Sequence, residues 1–381
     1  MKSQFKIQNV FKGDIAIWII YLVLSIVSLT SVFSSIGLYA IDDYGSTPLH
    51  LFLKHGLFVI AAYVLIIMIT PVKTNTLYKM ANIVFAASLI LVVYALVLRT
   101  RWIELFGIRF QPSEVVKLGL VMFLARIMHQ HQDELDDNKF FIILVIVVGA
   151  ASALIMPENL STAILIFTAC MFAMFFGGIQ LKNWMKVMAV MALVGVLALF
   201  VFYKFGDQIA FFRSSTWGSR IEHWLHPSTD LTQENMAKMA IATGGFGGKG
   251  IGETIQARLM TQAHNDFIFA IIIEEMGAWF GVFIFALYTV FFRRCIKIVT
   301  RCKETFNAVL VAGIGSIIYL QAIINMSVAV GLLPVTGQTL PFVSYGGTAY
   351  LILSGGIGMI QCVAYNTKKQ ESKDETEKHN S

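Results

Sequence analysis

Residues 140–178 read FFIILVIVVGAASALIMPENLSTAILIFTACMFAMFFGG, and Glu158 is the only charged residue among them. A helix that crosses the hydrocarbon core of a bilayer needs roughly 20 apolar residues. The polar interruption at Pro157, Glu158 and Asn159 leaves one run of nearly that length on each side. The stretch therefore predicts two consecutive membrane-spanning helices joined by a tight turn.

The same pattern extends in both directions along the 381 residues, of which 57% are hydrophobic and 14% charged, with a mean hydropathy of +0.71. A typical soluble domain is about 25% charged, so this chain needs lipid as its solvent. We predict an all-α polytopic membrane protein of about ten transmembrane helices, with one large extracytoplasmic loop, 204–265, between spans 7 and 8. The predicted spans are 15–40, 49–70, 77–98, 112–128, 140–156, 160–178, 185–203, 266–292, 306–330 and 344–365.

Lysine and arginine distribution predicts the orientation, because short cytoplasmic loops are enriched in both. One set of connecting segments holds 18 of these residues, whereas the opposite short loops hold only Arg99, Arg101 and Arg109. We therefore predict a cytoplasmic N-terminus (1–14), a membrane domain (15–366) and a disordered cytoplasmic tail (367–381). This topology also accounts for the net charge of +6, so we predict no nucleic-acid partner.

Neither the cysteines nor the first apolar run indicates another class of protein. The cysteines lack Cys-x-x-Cys spacing and predict neither a disulfide nor a zinc site. The first apolar run lacks a small-residue cleavage site and predicts a retained span. The four cysteines are Cys170, Cys295, Cys302 and Cys362.

Two features stand out in the large loop. Trp224 lies among mixed charges at 220–227, which predicts a helix at the membrane interface, while His223 and His226 are only a weak indication of a metal site. The glycine-rich segment 244–252 matches G-x-G-x-x-G, but no strand precedes it, so we reject a dinucleotide site. Either its backbone N–H groups and Lys249 bind an anionic headgroup such as a pyrophosphate, or the segment is a mobile linker.

Charge inside span 4 is costly and therefore a candidate for function. Gln111-Pro112-Ser113-Glu114 is followed by Lys117, and Glu114 and Lys117 share one helix face because they are three residues apart. This motif is either a helix cap with an internal ion pair or the polar wall of a substrate cavity.

Asp266, in the segment HNDFIF (264–269), lies where the large loop re-enters the membrane. The helix dipole favours its ionised form and burial opposes ionisation, so it is either a general base or a plain helix cap. Glu274 and Glu275 follow about 12 Å deeper at 1.5 Å per residue. They need a partner such as Lys117 or Lys54, or a water-filled cavity.

Residues 331–347, GLLPVTGQTLPFVSYGG, contain two prolines and four glycines, which exclude a continuous helix. Non-helical backbone at membrane depth persists only where it is buried in protein or lines a cavity. We therefore predict that this segment, with Asn325 just before it, folds back into the mouth of a polar chamber.

Taken together, these segments resemble the SEDS family, the FtsW and RodA proteins of bacterial cell division and elongation. The resemblance covers about 12–366 and rests on 111–117, 244–250, 264–277 and 331–347, in that order. It implies a peptidoglycan glycosyltransferase that polymerises lipid II on the outer face of the cytoplasmic membrane, with Asp266 as the catalytic group. Residues 252–263 look more like FtsW than RodA, which implies a role in cell division.

Two positions depart from the family pattern. Asn265 stands where family members usually have Thr or Ser, and Asn159 stands where many relatives have Asp. We therefore transfer no charge-dependent role to Asn159.

The reaction that the resemblance implies is an inverting transfer from an undecaprenyl-pyrophosphate-linked donor, in which Asp266 takes the proton of the acceptor 4-hydroxyl. No cofactor is certain, and a divalent cation, Mg²⁺ or Mn²⁺, would assist the leaving group. The implied protein partners are a class B penicillin-binding protein with transpeptidase activity and other division proteins. The candidate substrate-binding residues are Glu114, Lys117, Arg109, Arg220, Lys249, His264 and Ser344.

Other functions stay open at this point. A flippase or transporter for lipid-linked precursors would use Glu114, Lys117, Glu274 and Glu275 as an intramembrane relay. A non-catalytic scaffold of a division complex would need none of these charges, and an elongation polymerase of the RodA type would share the chemistry.

Overall fold

The computed structural model describes residues 11–35, 48–105, 108–205, 220, 222, 224–226, 232–256, 260 and 265–380. Within these ranges the chain is helical, apart from loops and one antiparallel hairpin of β1 (Ile103–Leu105) and β2 (Ile108–Phe110). The helices are α1 (Ile15–Ser35), α2 (Pro48–Ile69), α3 (Thr74–Val97), α4 (Pro112–Gln130), α5 (Asn138–Ile155), α6 (Leu160–Phe176), α7 (Leu181–Phe205), α8 (Gln233–Gly244), α9 (Ile268–Met276), α10 (Ala278–Val299), α11 (Thr305–Ala329) and α12 (Gly347–Asn380).

The predicted all-α membrane fold is confirmed. Over the described residues each predicted span coincides with a helix, except that span 8 is divided between α9 and α10, and residues 36–40 of span 1 lie outside the described residues. Six described helices are long and apolar enough to cross a membrane, namely α1, α2, α3, α5, α11 and α12, so the protein is a multi-pass membrane protein. The count of ten spans stays a prediction. Helix α11 is mostly buried and packs against α4, α6, α10 and α12, which places it at the centre of the bundle.

The helices connect alternately at two faces of the bundle. We call one the terminal face, where the backbone N–H of Asp14 donates to Gln361 Oε1 (2.7 Å) and Arg294 pairs with the Asp14 carboxylate. We call the other the site face. It holds the β1–β2 hairpin, the 156–159 turn and the 330–346 connection, and there Arg101 donates to the backbone oxygen of Glu158 and Thr348 to that of Arg109.

A break at Gly277 divides the predicted span 8. Gly277 has φ +88° and ends α9, after which the 22 residues of α10 rise about 33 Å, enough to cross the hydrocarbon core alone. The Glu275 carboxylate accepts a hydrogen bond from Ser34, which is the penultimate residue of α1. The predicted depth of Glu274 and Glu275 is therefore wrong, because they lie at the site-face end of span 8.

The glycine-rich segment packs against the end of α9. The N–H groups of Lys249 and Gly250 donate to the backbone oxygens of Glu274 and Glu275 (both 2.9 Å), and Ala278 N–H donates to Gly245 O (2.9 Å). A Cβ atom at Gly244 would lie 2.3 Å from Ile273 O, so the close approach needs glycine. The segment is thus a packed clamp, and neither the mobile linker nor the proposed use of these two N–H groups for a headgroup fits the structure.

The C-terminal tail differs from its prediction. Helix α12 continues through the terminal face to Asn380, whereas the sequence pattern favours disorder from 367 onward. The tail is rich in Lys, Glu and Gln, which are good helix formers, and it extends a helix that is already nucleated in the bundle. Lys303 also pairs with Asp374 and ties the tail to the α10–α11 turn.

The clamp gives a prediction on stability. A Cβ atom at Gly248 would lie 2.3 Å from Glu275 O, and its φ of +77° is unfavourable for other residues, so Gly248→Ala should destabilise the protein by roughly 2–4 kcal/mol. Gly247→Ala is the matched control, because nothing lies within 4 Å of a Cβ atom there. Thermal unfolding in detergent should show a lowered midpoint only for Gly248→Ala. Equal midpoints for the two variants would contradict the clamp.

Candidate active site

Asp266 lies in the turn just before α9, and its side chain is partly buried on the site face. The N-cap residue of α9 is Phe267, and no side chain caps this helix. No described residue donates a hydrogen bond to the Asp266 carboxylate, which interacts electrostatically with the guanidinium groups of Arg220 and Arg101. The helix-cap interpretation of Asp266 is therefore wrong, and its carboxylate is available to a ligand.

Two side chains hold the backbone of this turn. The Asn325 amide donates to Asp266 O (2.8 Å) and to Gln338 O (2.7 Å), and the Ser344 hydroxyl donates to Asn265 O (2.7 Å). Ser344 in turn accepts a hydrogen bond from Leu340 N–H (2.8 Å). These bonds satisfy backbone groups that would be costly if they were buried without a partner, and they fix the turn against the 331–347 segment.

The 331–347 segment folds back into the protein, as predicted, whereas the polar chamber at its mouth stays a prediction. Gln338, Leu340, Phe342 and Val343 are all buried, and Gln338 donates to Thr162 Oγ1 (2.7 Å) at the start of α6. A Cβ atom at Gly337 would lie 3.7 Å from Asp266 Oδ2, so the segment passes directly beside the carboxylate. This non-helical backbone therefore forms one wall of the site.

Burial raises the pKa of Asp266 to about 6, against the lowering effect of the Arg220 and Arg101 guanidinium groups. Arg220 donates to Val335 O (3.1 Å), and Arg101 donates through two nitrogens to Glu158 O (3.1 and 2.8 Å). A carboxyl group with a pKa near neutrality is suited to accept and release a proton. Two cations beside it favour negative charge on a ligand.

Glu114 and Lys117 form an internal ion pair, with Lys117 Nζ 2.7 Å from Glu114 Oε1. Lys117 is fully buried and also donates to Gln321 Oε1 (2.9 Å), and Gln321 donates to Thr339 O (3.0 Å). The ion pair therefore supports the 331–347 segment through Gln321. Lys117 has too many internal partners to reach a substrate without losing one of them.

Glu158 is a site residue that the sequence motifs did not identify. Its side chain is 6% exposed, Gln111 Nε2 donates to its Oε1 (2.9 Å), and its Oε2 has no partner among the described residues. Burial raises the pKa of Glu158, and the nearby Glu114 carboxylate raises it further. The hydrogen bond from Gln111 and the charge of Arg101 lower this pKa in part. The adjacent Asn159 caps α6 through a bond from Thr162 N–H (3.1 Å), so the carboxylate in this turn comes from Glu158.

Lys249 is paired with Glu274 and does not point at Asp266. Its Nζ lies 2.7 Å from Glu274 Oε1, and the fully buried Glu274 carboxylate also accepts hydrogen bonds from Thr254 Oγ1 (2.9 Å) and Ile255 N–H (3.2 Å). The predicted partners Lys117 and Lys54 are therefore wrong for Glu274. Lys249 stabilises the clamp, and the substrate-binding role predicted for it has no support in this geometry.

The remaining predicted residues fall into three groups. The residues 220, 222, 224 and 225 are helical, and Trp224 Nε1 donates to Gly331 O (3.1 Å), so this segment covers the 331–347 wall. Arg109 lies on the exposed hairpin, with its guanidinium carbon 5.7 Å from the centre of the Trp102 ring. His264 and His223 lie outside the described residues. Within the described part of the chain, no three His, Cys, Asp or Glu side chains form a group that could bind a metal.

The fold and the site define a multi-pass helical membrane protein with an ionisable site on one face of the bundle. Residues 14–369 match the profile of the FtsW/RodA/SpoVE family, described as cell cycle proteins. The chain belongs to this family.

Individual relatives agree with this assignment. The chain is 29% identical over 366 residues to a probable peptidoglycan glycosyltransferase FtsW of Coxiella burnetii, which covers 92% of this chain and 96% of the relative. It is 29% identical over 275 residues to the peptidoglycan glycosyltransferase MrdB of Escherichia coli K12, which covers 70% and 71% of the two chains.

Solved structures confirm the fold. A chain of a peptidoglycan synthase complex, described as structurally coordinating polymerization and crosslinking, matches with a TM-score of 0.73, 22% identity and coverage of 93% and 98% of the two chains. Rod shape determining protein RodA of Thermus thermophilus matches with a TM-score of 0.62, 21% identity and the same coverage.

The revised role of Lys249 can be tested by a double-mutant cycle. Lys249→Met should destabilise the protein by about 3 kcal/mol, because it leaves the Glu274 charge buried without its cation. Lys249→Met with Glu274→Gln should recover much of that loss. Thermal unfolding in detergent, without substrate, is the measurement. A stable Lys249→Met single variant would contradict the structural role and favour the original substrate-binding prediction.

Proposed function

We propose that this protein is a peptidoglycan glycosyltransferase that polymerises lipid II into β-1,4-linked glycan strands. The names of its relatives support the reaction class, and one observation supports the site. That observation is the Asp266 carboxylate, which is partly buried, free of hydrogen bonds from described residues and held by backbone contacts from Asn325 and Ser344.

In the proposed reaction, Asp266 accepts the proton of the acceptor 4-hydroxyl as that oxygen attacks the anomeric carbon of the donor sugar. The bond from that carbon to the undecaprenyl pyrophosphate breaks, and the pyrophosphate leaves with the electron pair. An α-linked donor that becomes a β-linked product requires inversion, so attack is in line and no covalent enzyme intermediate forms. The tether through Asn325 supports this role, because a general base must be held within hydrogen-bond reach of its proton.

Arg220 and Arg101 are the cations that we assign to the leaving pyrophosphate. Both lower the pKa of Asp266, which supports a position near the reacting groups, and preorganised cations stabilise charge that develops in the transition state. Arg101 replaces Lys117 and Lys249 in this role, because those two lysines pair with Glu114 and Glu274.

A divalent cation would enter with the substrate in this proposal. Glu114 and Glu158 each leave one buried carboxylate oxygen without a partner among the described residues. Mg²⁺ is often held by one or two carboxylates together with substrate phosphates, so these oxygens are suitable ligands for such an ion. The ion would neutralise the leaving pyrophosphate.

We further propose that the site face is extracytoplasmic and both termini are cytoplasmic, on the basis of the lysine and arginine distribution. The protein would work with a class B penicillin-binding protein that crosslinks the strands, since a structural neighbour belongs to a complex that coordinates polymerization and crosslinking. Division, as for FtsW, stays our prediction for the cellular role, and relatives include both FtsW and MrdB proteins.

A flippase is the weaker candidate, because the charged groups that a proton or substrate relay would use already form ion pairs and hydrogen bonds within the protein. Lys117 pairs with Glu114, Lys249 pairs with Glu274, and Glu275 accepts hydrogen bonds from Ser34 and Gly252 N–H. Reconstitution with lipid II only in the outer leaflet separates the two functions. A polymerase still makes strands there, whereas a flippase makes none.

Asp266→Asn should abolish glycan-strand synthesis by the purified protein, alone or with its partner, because the amide cannot accept the proton. A fall of at least about 100-fold is expected for the loss of a general base. Glu253→Gln is the matched control, since Glu253 is an exposed carboxylate in the same large loop.

Unchanged thermal unfolding of Asp266→Asn would show that the fold survives. Strand synthesis by folded Asp266→Asn at a rate close to that of the control would contradict the assignment of the base.

The reaction should lose rate as the pH falls through about 6, because only the ionised Asp266 can accept a proton. Since Arg220 lowers the pKa of Asp266, Arg220→Gln should move this acidic limb to higher pH. The measurement is the initial rate of strand synthesis between about pH 4 and about pH 8, which covers about 2 pH units on each side of the limb. An acidic limb that stays in place or moves to lower pH would contradict the proposed coupling.

A further inference from the structure

A cavity of about 200 Å³ lies on the terminal face, far from Asp266 along the helices. It is enclosed by the start of α1, the end of α10 and the middle of α12. Its charged and polar lining consists of Asp14, Arg294, Arg301, Thr367, Lys368 and Glu371. The proposed polymerisation uses none of these residues, so the cavity needs a separate explanation.

One wall of the cavity is rigid. Asp14 Oδ1 accepts hydrogen bonds from the N–H groups of Ala16 (3.0 Å) and Ile17 (3.2 Å), and Arg294 Nε donates to the same oxygen (3.2 Å). Gln361 both accepts from Asp14 N–H (2.7 Å) and donates to Asp14 O (3.0 Å). The Asp14 charge is therefore neutralised inside the wall, and the wall is preorganised.

The remaining charge in the cavity is positive. Arg301 and Lys368 are exposed at its rim, and neither side chain has a hydrogen bond or ion pair with any residue that the structure describes. Among the described lining residues, Glu371 is the one carboxylate left to oppose them. Two unused cationic groups beside a concave, preorganised surface suit an anion with several acceptor oxygens.

The cavity also borders an exposed apolar face of α1. Ile15 is one of its lining residues and is 62% exposed, and Ile19, one turn further along α1, is 56% exposed. Leu22 and Ile26 continue the same exposed apolar face toward the middle of the bundle. A ligand with its anionic group in the cavity could therefore lay an acyl chain along α1, which favours a lipid over a free anion.

We propose that this cavity binds the phosphate headgroup of an anionic membrane lipid, with an acyl chain on the exposed face of α1. Arg301 and Lys368 contact the phosphate oxygens, and Thr367 and the Arg294–Asp14 pair form the floor. Basic pockets between the ends of transmembrane helices are typical sites for anionic headgroups.

The test uses the purified full chain in phosphatidylcholine nanodiscs with increasing phosphatidylglycerol. Native mass spectrometry measures retained phosphatidylglycerol, and thermal unfolding measures its stabilisation of the protein. Arg301→Gln with Lys368→Gln should weaken phosphatidylglycerol binding by about 30-fold, because two cations near the phosphate are lost. The matched control is Arg293→Gln with Lys297→Gln, which removes two exposed cations of α10 outside the cavity and should bind normally.

Two results would overturn the proposal. The first is equal binding by the cavity variant and the control variant. The second is equal protection by inorganic phosphate in place of phosphatidylglycerol, which would indicate a small-anion site without a lipid. If the double variant unfolds, Lys368→Gln alone, at an exposed position of α12, should weaken phosphatidylglycerol binding by an intermediate amount. Unchanged binding by this single variant would also contradict the site. None of these readouts depends on strand synthesis.

Discussion

The Asn325 side-chain amide is the contact on which the site depends. It joins the backbone oxygens of Asp266 and Gln338, and so connects the turn before α9 to the wall formed by 331–347. The Gln338 carbonyl belongs to a buried residue, and an unpaired backbone oxygen inside a protein is costly. The bond that satisfies these backbone oxygens therefore also positions the acid.

The wall itself is supported from the other side by a second polar chain. Glu114 forms an ion pair with Lys117, and Lys117 donates a hydrogen bond to the side chain of Gln321. Gln321 in turn donates to the backbone oxygen of Thr339. Around this frame, the clamp of the glycine-rich segment on α9 fixes the end of the short helix that follows Asp266. The site thus combines three non-helical segments, and each of them is fixed by contacts to α9 or α11.

The helical part of the fold could be predicted because lipid imposes both length and apolarity on each span, as at 140–178. The backfolded 331–347 segment could be predicted for the same reason, since Pro334 and Pro341 break the helix without adding charge. The Gly277 break could not, because glycine within an apolar run is also tolerated in continuous transmembrane helices. Its consequence was the wrong depth for Glu274 and Glu275. The helical tail after 367 also escaped prediction, because polar composition alone does not reveal an upstream helix that nucleates it.

Among the site residues, Asp266 and Ser344 could be found from motifs, but the pairing of charges could not. Lys249 and Glu274 are 25 residues apart and meet only because the large loop packs back on α9. In the sequence, Arg101 served only as one of the Lys and Arg residues that predict the orientation. Glu158 precedes Asn159, the position at which many relatives have Asp. Their roles depend on the turn at 156–159 meeting the hairpin, which is a tertiary contact.

Our central claim is that the surroundings of Asp266 raise the pKa of its carboxyl group toward neutral pH. Titration of this carboxyl group tests the claim most directly. Infrared difference spectra of the purified protein against Asp266→Asn, recorded across pH, isolate the carboxyl band of this one residue. We expect a midpoint of about pH 6. A midpoint near the ordinary aspartate value of about 4 would show that burial does not raise the pKa of this carboxyl group above its usual range, and would contradict the claim.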